Sequence, residues 1–207
     1  EASNFVDEIV REGSIAKAVS VKPGYATLFV YDAVEFLVRL VGIRSPDYIV
    51  PAIPGNLAAK VVKRWLEHKG LVAEGKSQAL KDVLKDIPEN LVLLCDENVG
   101  VIITSYMPNG SLCRIPCDQP VDFCPTTGRG KIGPMHRVLA NVVHEKVTLG
   151  KIFASHIFRQ EFGSFQGSEL ASFLSDVEKL SCPYSLAVGT ACKCHGILNL
   201  FSVHASS

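Results

Sequence analysis

The sequence has no net charge, because 21 lysines and arginines balance 21 aspartates and glutamates. That balance argues against a protein whose main affinity comes from broad neutralisation of a nucleic-acid backbone, and it removes one barrier to self-association. There is also no long apolar stretch free of charge. The longest apolar run, Gly24 to Ile43, contains Asp32, Glu35 and Arg39, which would be costly to bury in lipid, so no membrane association is expected. No basic, apolar, small-residue leader opens the chain, and a start at Glu1 without methionine is expected of a trimmed chain or of a piece of a longer protein. Gly-x-Ser-x-Gly, His-Glu-x-x-His and EF-hand patterns are missing, as are internal repeats and the Cys-x2-Cys knuckles that mark many zinc sites. The aromatic residues are scattered through apolar stripes, which speaks against a base-stacking platform.

The chain does have apolar residues and cysteines. It is 47% hydrophobic over 207 residues with a mean hydropathy of +0.22, so part of its surface is expected to be covered by a protein partner or a second copy. One domain over residues 1–207 is expected; a division into a helix-rich half, 1–88, and a sheet-containing half, 89–207, fits the composition equally. The seven cysteines are an odd number, whereas a secreted disulfide framework would pair them. An intracellular, cytoplasmic location is expected on that ground.

Periodicity predicts a mixed α/β fold, α+β in layout, with a largely antiparallel central sheet packed by five or six helices. Phe5, Val6, Ile9 and Val10 form a helical stripe capped at Ser3 or Asn4, and Ser14 caps a short turn to Val19. Residues 25–42 read as one central helix, 47–53 as a strand, and Asn56 as the cap of a helix over 57–69. Ser77 caps a helix over 78–86, and strands follow at 91–95, 99–106 and, after an Asn-Gly turn, 111–115 as a meander. Beyond residue 134 a helix is followed by 148–162, whose Ile152, Phe153, His156, Ile157 and Phe158 share a face at helical spacing. A further helix is expected over 168–180, with strands at 184–188 and 197–203.

Reactive side chains, glycines and basic charge crowd together in Cys124-Pro-Thr-Thr-Gly-Arg-Gly-Lys-Ile-Gly-Pro-Met-His-Arg137. Glycines there allow close backbone approach, Arg129 and Lys131 bring charge, and Pro134 suits the start of a helix whose free N–H groups would point back at the loop. A phosphate or carboxylate would meet donors from Thr126, Thr127, Gly128, Arg129, Gly130, Lys131 and Arg137. The spacing departs from the dinucleotide fingerprint, which needs a strand just before the glycines, and from the P-loop, because Ile132 follows Lys131. The first expectation is therefore recognition of an anionic small molecule or nucleotide.

Two alternatives use the cysteines. Cys113, Cys117 and Cys124 with His136 would give zinc four soft or imidazole donors, and a zinc-stabilised, noncatalytic interaction domain of a larger assembly would follow. A second group, Cys182, Cys192, Cys194 and His195, puts Cys194 and His195 in neighbouring positions that are hard to use together on one metal. In the other alternative, Cys124 is a catalytic nucleophile with His136 as its base, its thiol made acidic by Arg129, Lys131 and the helix start.

Overall fold

A computed structural model describes residues 6–11, 14–75, 77–111, 113, 117–159 and 162–206; for 157–159 it describes the backbone alone. In chain order, β1 (Glu8–Val10) and α1 (Ile15–Val19) precede β2 (Thr27–Phe29), α2 (Ala33–Ile43) and β3 (Tyr48–Ile49). Then come α3 (Leu57–His68), β4 (Leu71–Glu74), α4 (Gln78–Asp86), β5 (Val92–Asp96) and β6 (Val101–Ser105). After a long loop, α5 (Met135–Val143), β7 (Leu149–Ala154), β8 (His156–Arg159) and β9 (Phe162–Gln166) lead to α6 (Gly167–Glu178), β10 (Tyr184–Ala191) and β11 (His195–Ala205).

The central sheet runs β5-β6-β11-β10-β7, with β4 paired to the far half of β11. All its pairings are antiparallel except β10 with β7, so the mixed class and the largely antiparallel sheet stand as read from the sequence. Alternation along the two longest strands builds two cores. On β10, Leu186 and Val188 face a core made with α2, α3 and α6, while Ala187 and Ala191 face one made with α4 and α5. The first core takes residues from both sides of position 88, among them Val61 and Leu66 with Phe173 and Phe201.

Caps fall where polar side chains can take up orphan amides. Ser14, Asp32, Asn56 and Ser77 accept from Lys17, Glu35, Ala59 and Ala79, respectively. Asn56 also crosses to the sheet: its amide donates to the Val188 carbonyl at 2.9 Å and to Asn199 Oδ1 at 3.2 Å. Glu35, buried in α2, meets Arg39 at 2.7 Å, and Arg64 and His68 of α3 at 3.6 and 3.1 Å. Arg39 in particular, with His68 and Arg64 helping and burial opposing, holds its carboxyl below the ordinary value.

Several sequence expectations are corrected. Residues 8–10 form β1, paired in parallel to β2, because a short apolar run carries no information on period; the proposed cap at Ser3 or Asn4 lies outside the described residues. The helix read over 25–42 begins only at Ala33, since Asp32 caps it and residues 27–29 are drawn into β2. The strand at 47–53 shrinks to β3, whose two residues pair with β9. The third strand of the meander falls largely outside the described residues, and the edge of β6 it would have used is taken by β11. The described residues of the stretch read over 148–162 form β7 and β8 with the start of β9; Ile152 and Phe153 lie on opposite faces of the sheet, one beside each core.

Among the described residues no helix is long and apolar enough to cross a membrane.

Candidate functional site

The β10–β11 turn, the loop after β6 and the start of α5 meet at one end of the sheet. The turn is tight: Ala191 pairs with Gly196, and the Cys192 amide donates to the His195 carbonyl at 2.9 Å. Its carbonyls receive α5, with Met135 N–H donating to Lys193 and His136 N–H to Cys192, both at 3.1 Å. Gly196 permits this docking, because a Cβ there would stand 2.5 Å from Leu139 Cδ1 of α5 and 3.0 Å from Thr104 Oγ1.

The loop folds on itself as a small hairpin. Cys124 N–H donates to the Arg129 carbonyl, Gly128 N–H to that of Cys124 and Lys131 N–H to that of Asp122, each at 2.8 Å. Gly128 closes it with a φ of 68°, a left-handed value that glycine adopts without strain. Buried Cys124 lies with its sulfur 3.6 Å from Met107 Sδ. Burial would raise its thiol pKa, but the Thr127 side chain and the amides of Thr127 and Thr126 bond to the sulfur and hold it below the ordinary value.

Many of the amides expected to face an anion have partners within the fold. Of the α5 amides that were to face an anion, Met135 and His136 bond to turn carbonyls, and Arg137 and Val138 bond to Pro134. The Thr126 and Thr127 amides serve the Cys124 sulfur, and Arg129 N–H donates to Thr127 Oγ1 at 3.3 Å. A sequence pattern of glycine and cation cannot reveal that these donors are consumed internally. Arg129, Gly130 and Arg137 are exposed. The nucleophile–base pair does not form either. His136 Nδ1 lies 3.3 Å from the Cys192 carbonyl, turned to the β10–β11 turn, while Cys124 has the partners named above.

Nor do the proposed zinc ligands converge: among the described residues no group of three or more His, Cys, Asp or Glu is placed to hold a metal ion, Cys113, Cys117, Cys124 and His136 included. Burial pushes the Cys113 thiol up, and the neighbouring Cys117, Cys194 and Cys124 push it further.

The strongest chemistry belongs to a pair that the sequence reading had weighed only for metal binding. The half-buried Cys192 sulfur accepts N–H bonds from Cys194 and His195, both at 3.3 Å, and lies 3.7 Å from His195 Nδ1. The Cys194 thiol donates to it as well. That bond, with the two amides behind it and burial opposing, brings Cys192 from the ordinary 9.0 down to about 6. Cys194, buried, moves the other way: donation to Cys192 and burial push its thiol up. The two sulfurs thus share one proton near neutrality.

Lys131 reaches this pair from the loop. Its ammonium lies 3.1 Å from Cys194 Sγ, donates to the Pro120 carbonyl and stands 5.6 Å from the centre of the Tyr106 ring. Tyr106 is anchored in turn, its hydroxyl donating to Gly133 at 2.7 Å and its amide to Cys194 at 3.1 Å. A readable signal was present, since Cys-x-Cys between two predicted strands must lie in a hairpin turn that brings both thiols together.

Fold and site together define a layered α/β protein with a cysteine-rich pole around a dithiol turn. The chain belongs to the AF_1314_C family, described as "Uncharacterized protein, C-terminal domain", whose model matches residues 58–204, from α3 to the end of β11 and across the whole thiol pole. No curated protein and no solved structure matches the chain.

Proposed function

We propose that the protein carries out thiol–disulfide exchange at the Cys192–Cys194 turn, with Cys192 as the attacking thiolate and Cys194 as the resolving thiol. The observation that carries this reading is the environment of the Cys192 sulfur: two backbone N–H groups at 3.3 Å, in a turn whose second thiol, Cys194, lies 3.1 Å from an ammonium. Amides fixed in a hairpin stabilise a sulfur anion without having to reorganise, as preorganised donors do for developing charge.

The chemistry balances as follows. The Cys192 thiolate attacks one sulfur of a disulfide R–S–S–R′, a Cys192–S–R bond forms, and R′S⁻ leaves and takes up a proton. Cys192 now carries no charge, so the Cys194 S–H loses its acceptor. The Lys131 ammonium then favours the Cys194 thiolate, whose proton is the one passed to the departing R′S⁻. Cys194 attacks Cys192 Sγ, the Cys192–Cys194 disulfide forms, and RS⁻ departs. The substrate gains two electrons, the pair loses two, and a reducing thiol from solution regenerates the dithiol.

The test is oxidation of the reduced chain with glutathione disulfide, followed by alkylation and peptide mass mapping. A peptide in which Cys192 and Cys194 are joined, a trapped mixed disulfide on Cys192 in Cys194→Ser, and no reaction at the turn in Cys192→Ser are expected. Free alkylation of both thiols after oxidation would overturn the assignment.

A further inference from the structure

We infer that the disulfide taken by this turn is an anionic one, a substrate carrying carboxylates beside its sulfurs. This rests on the dithiol reading above and adds a specificity to it.

The argument is the charge that surrounds the pair. Lys193 stands between the two cysteines, Arg137 lies in the first turn of α5, whose preceding amides bond to Lys193 and Cys192, and Arg129 pairs with Cys124 across the hairpin that brings Lys131 to Cys194. Lys193, Arg137 and Arg129 are exposed, and among the described residues none of them meets a carboxylate. Elsewhere on this protein cations are commonly matched, as in Lys17–Glu8, Lys69–Glu178, Lys146–Asp86 and Lys151–Glu169. Over 117–137 and 192–194 the carboxylates are Asp118 and Asp122, against Arg129, Lys131, Arg137 and Lys193, an excess of two positive charges on a chain whose net charge is zero.

Such an excess does not by itself make an anion site, and the loop amides that would have enclosed one are used internally. Its effect comes through the thiol pair carried by the same turn. A local positive potential draws anions toward that point, and it offsets the repulsion between the Cys192 thiolate and the carboxylates of an anionic disulfide. The carboxylates need not be enclosed; they need only reach exposed guanidinium and ammonium groups while their sulfur reaches Cys192. The Cys192 thiolate is itself negative, so without these cations an anionic disulfide would be repelled.

The experiment compares three disulfides against the reduced full chain by stopped flow: dianionic dithiobis(nitrobenzoate), neutral dithiodipyridine and dicationic cystamine. Each rate is divided by that of a free cysteine derivative of matched pH dependence, and the reacted residue is confirmed by mass mapping. The normalised rate for the dianion is expected to exceed that for the neutral reagent by roughly 10-fold at low salt, with cystamine slowest. At about 1 M salt, where the Debye length is ~3 Å, the three should converge. Arg129→Gln combined with Arg137→Gln should bring the ratio of the dianion's rate to the neutral reagent's rate toward one at low salt. Equal normalised rates at low salt, with Cys192 still the residue labelled, would overturn the anionic specificity alone. Rates that persist in Cys192→Ser would overturn the dithiol reading beneath it.

Discussion

Removing the Cys194 thiol should make Cys192 less acidic, and the size of that change can be worked out in advance. In the native turn Cys192 sits at about 6, against 9.0 for an unperturbed thiol, and the largest cause is the bond from Cys194. At pH 7 the native turn would be ~90% thiolate and an ordinary thiol ~1%. Thiolate fraction alone would therefore make the native site ~90-fold faster toward iodoacetamide. A thiolate loses nucleophilicity as its pKa falls, with a Brønsted slope of about 0.4–0.5, and over three units that costs roughly 20-fold. The net advantage at pH 7 is only about fourfold, so a single rate decides little. The midpoint of the pH–rate curve decides much more. It should lie near 6 for native Cys192 and move up toward 9.0 in Cys194→Ala, stopping short because the amides of Cys194 and His195 remain. Site-resolved alkylation across the pH range, read by mass spectrometry, measures it. A native midpoint at 8 or above, or one unmoved by Cys194→Ala, would refute the account of the turn.

The same pair should mark the pH dependence of folding. Cys192 is lowered on folding, so its contribution is fully present above the unfolded value of 9.0 and is lost as pH falls through about 6. The slope is at most about 1.4 kcal/mol per pH unit. Cys194 is raised, so the folded chain keeps a proton that the unfolded chain gives up above 9.0, and stability falls there. Urea denaturation of the reduced protein, compared with the Cys192→Ala/Cys194→Ala variant, should show a relative maximum near pH 9. Gly196→Ala should cost about 1–3 kcal/mol in urea melts, because its Cβ would press on Leu139 at 2.5 Å and only local displacement relieves it. Asn56→Ala removes a helix cap and leaves the Val188 carbonyl without this donor, for about 2–4 kcal/mol of lost stability by the same assay. Glu35 has a lowered pKa in the fold, so its stabilisation is present above the ordinary 4.5 and is lost as pH falls below it. Glu35→Gln should therefore be less stable at pH 7 and show a shallower decline in acid melts.

The sequence by itself determined the elements whose signals are local. Asn56 and Ser77 announce their helices, Ser168 to Leu180 repeats its apolar residues at helical spacing to give α6, and short apolar runs bounded by turn residues announce β5, β6, β10 and β11. A cap needs only its own backbone, and a long periodic stripe needs only a core to face, so both can be read in one dimension. Lys131 and Cys124, singled out in the sequence, lie in the loop that packs beside the β10–β11 turn. Which strands pair was beyond the sequence. Val10 and Phe29 became extended because each found the other, and β6 turned to β11 across ninety or so residues, a choice made by two cores closing at once. The chemistry was decided at the same level. Whether an amide is free to meet an anion depends on which carbonyl lies opposite, and here the β10–β11 turn takes the first donors of α5. Cys192 is acidic because a hairpin aims two amides and a thiol at one sulfur, while Lys131, sixty residues earlier, is folded against the other.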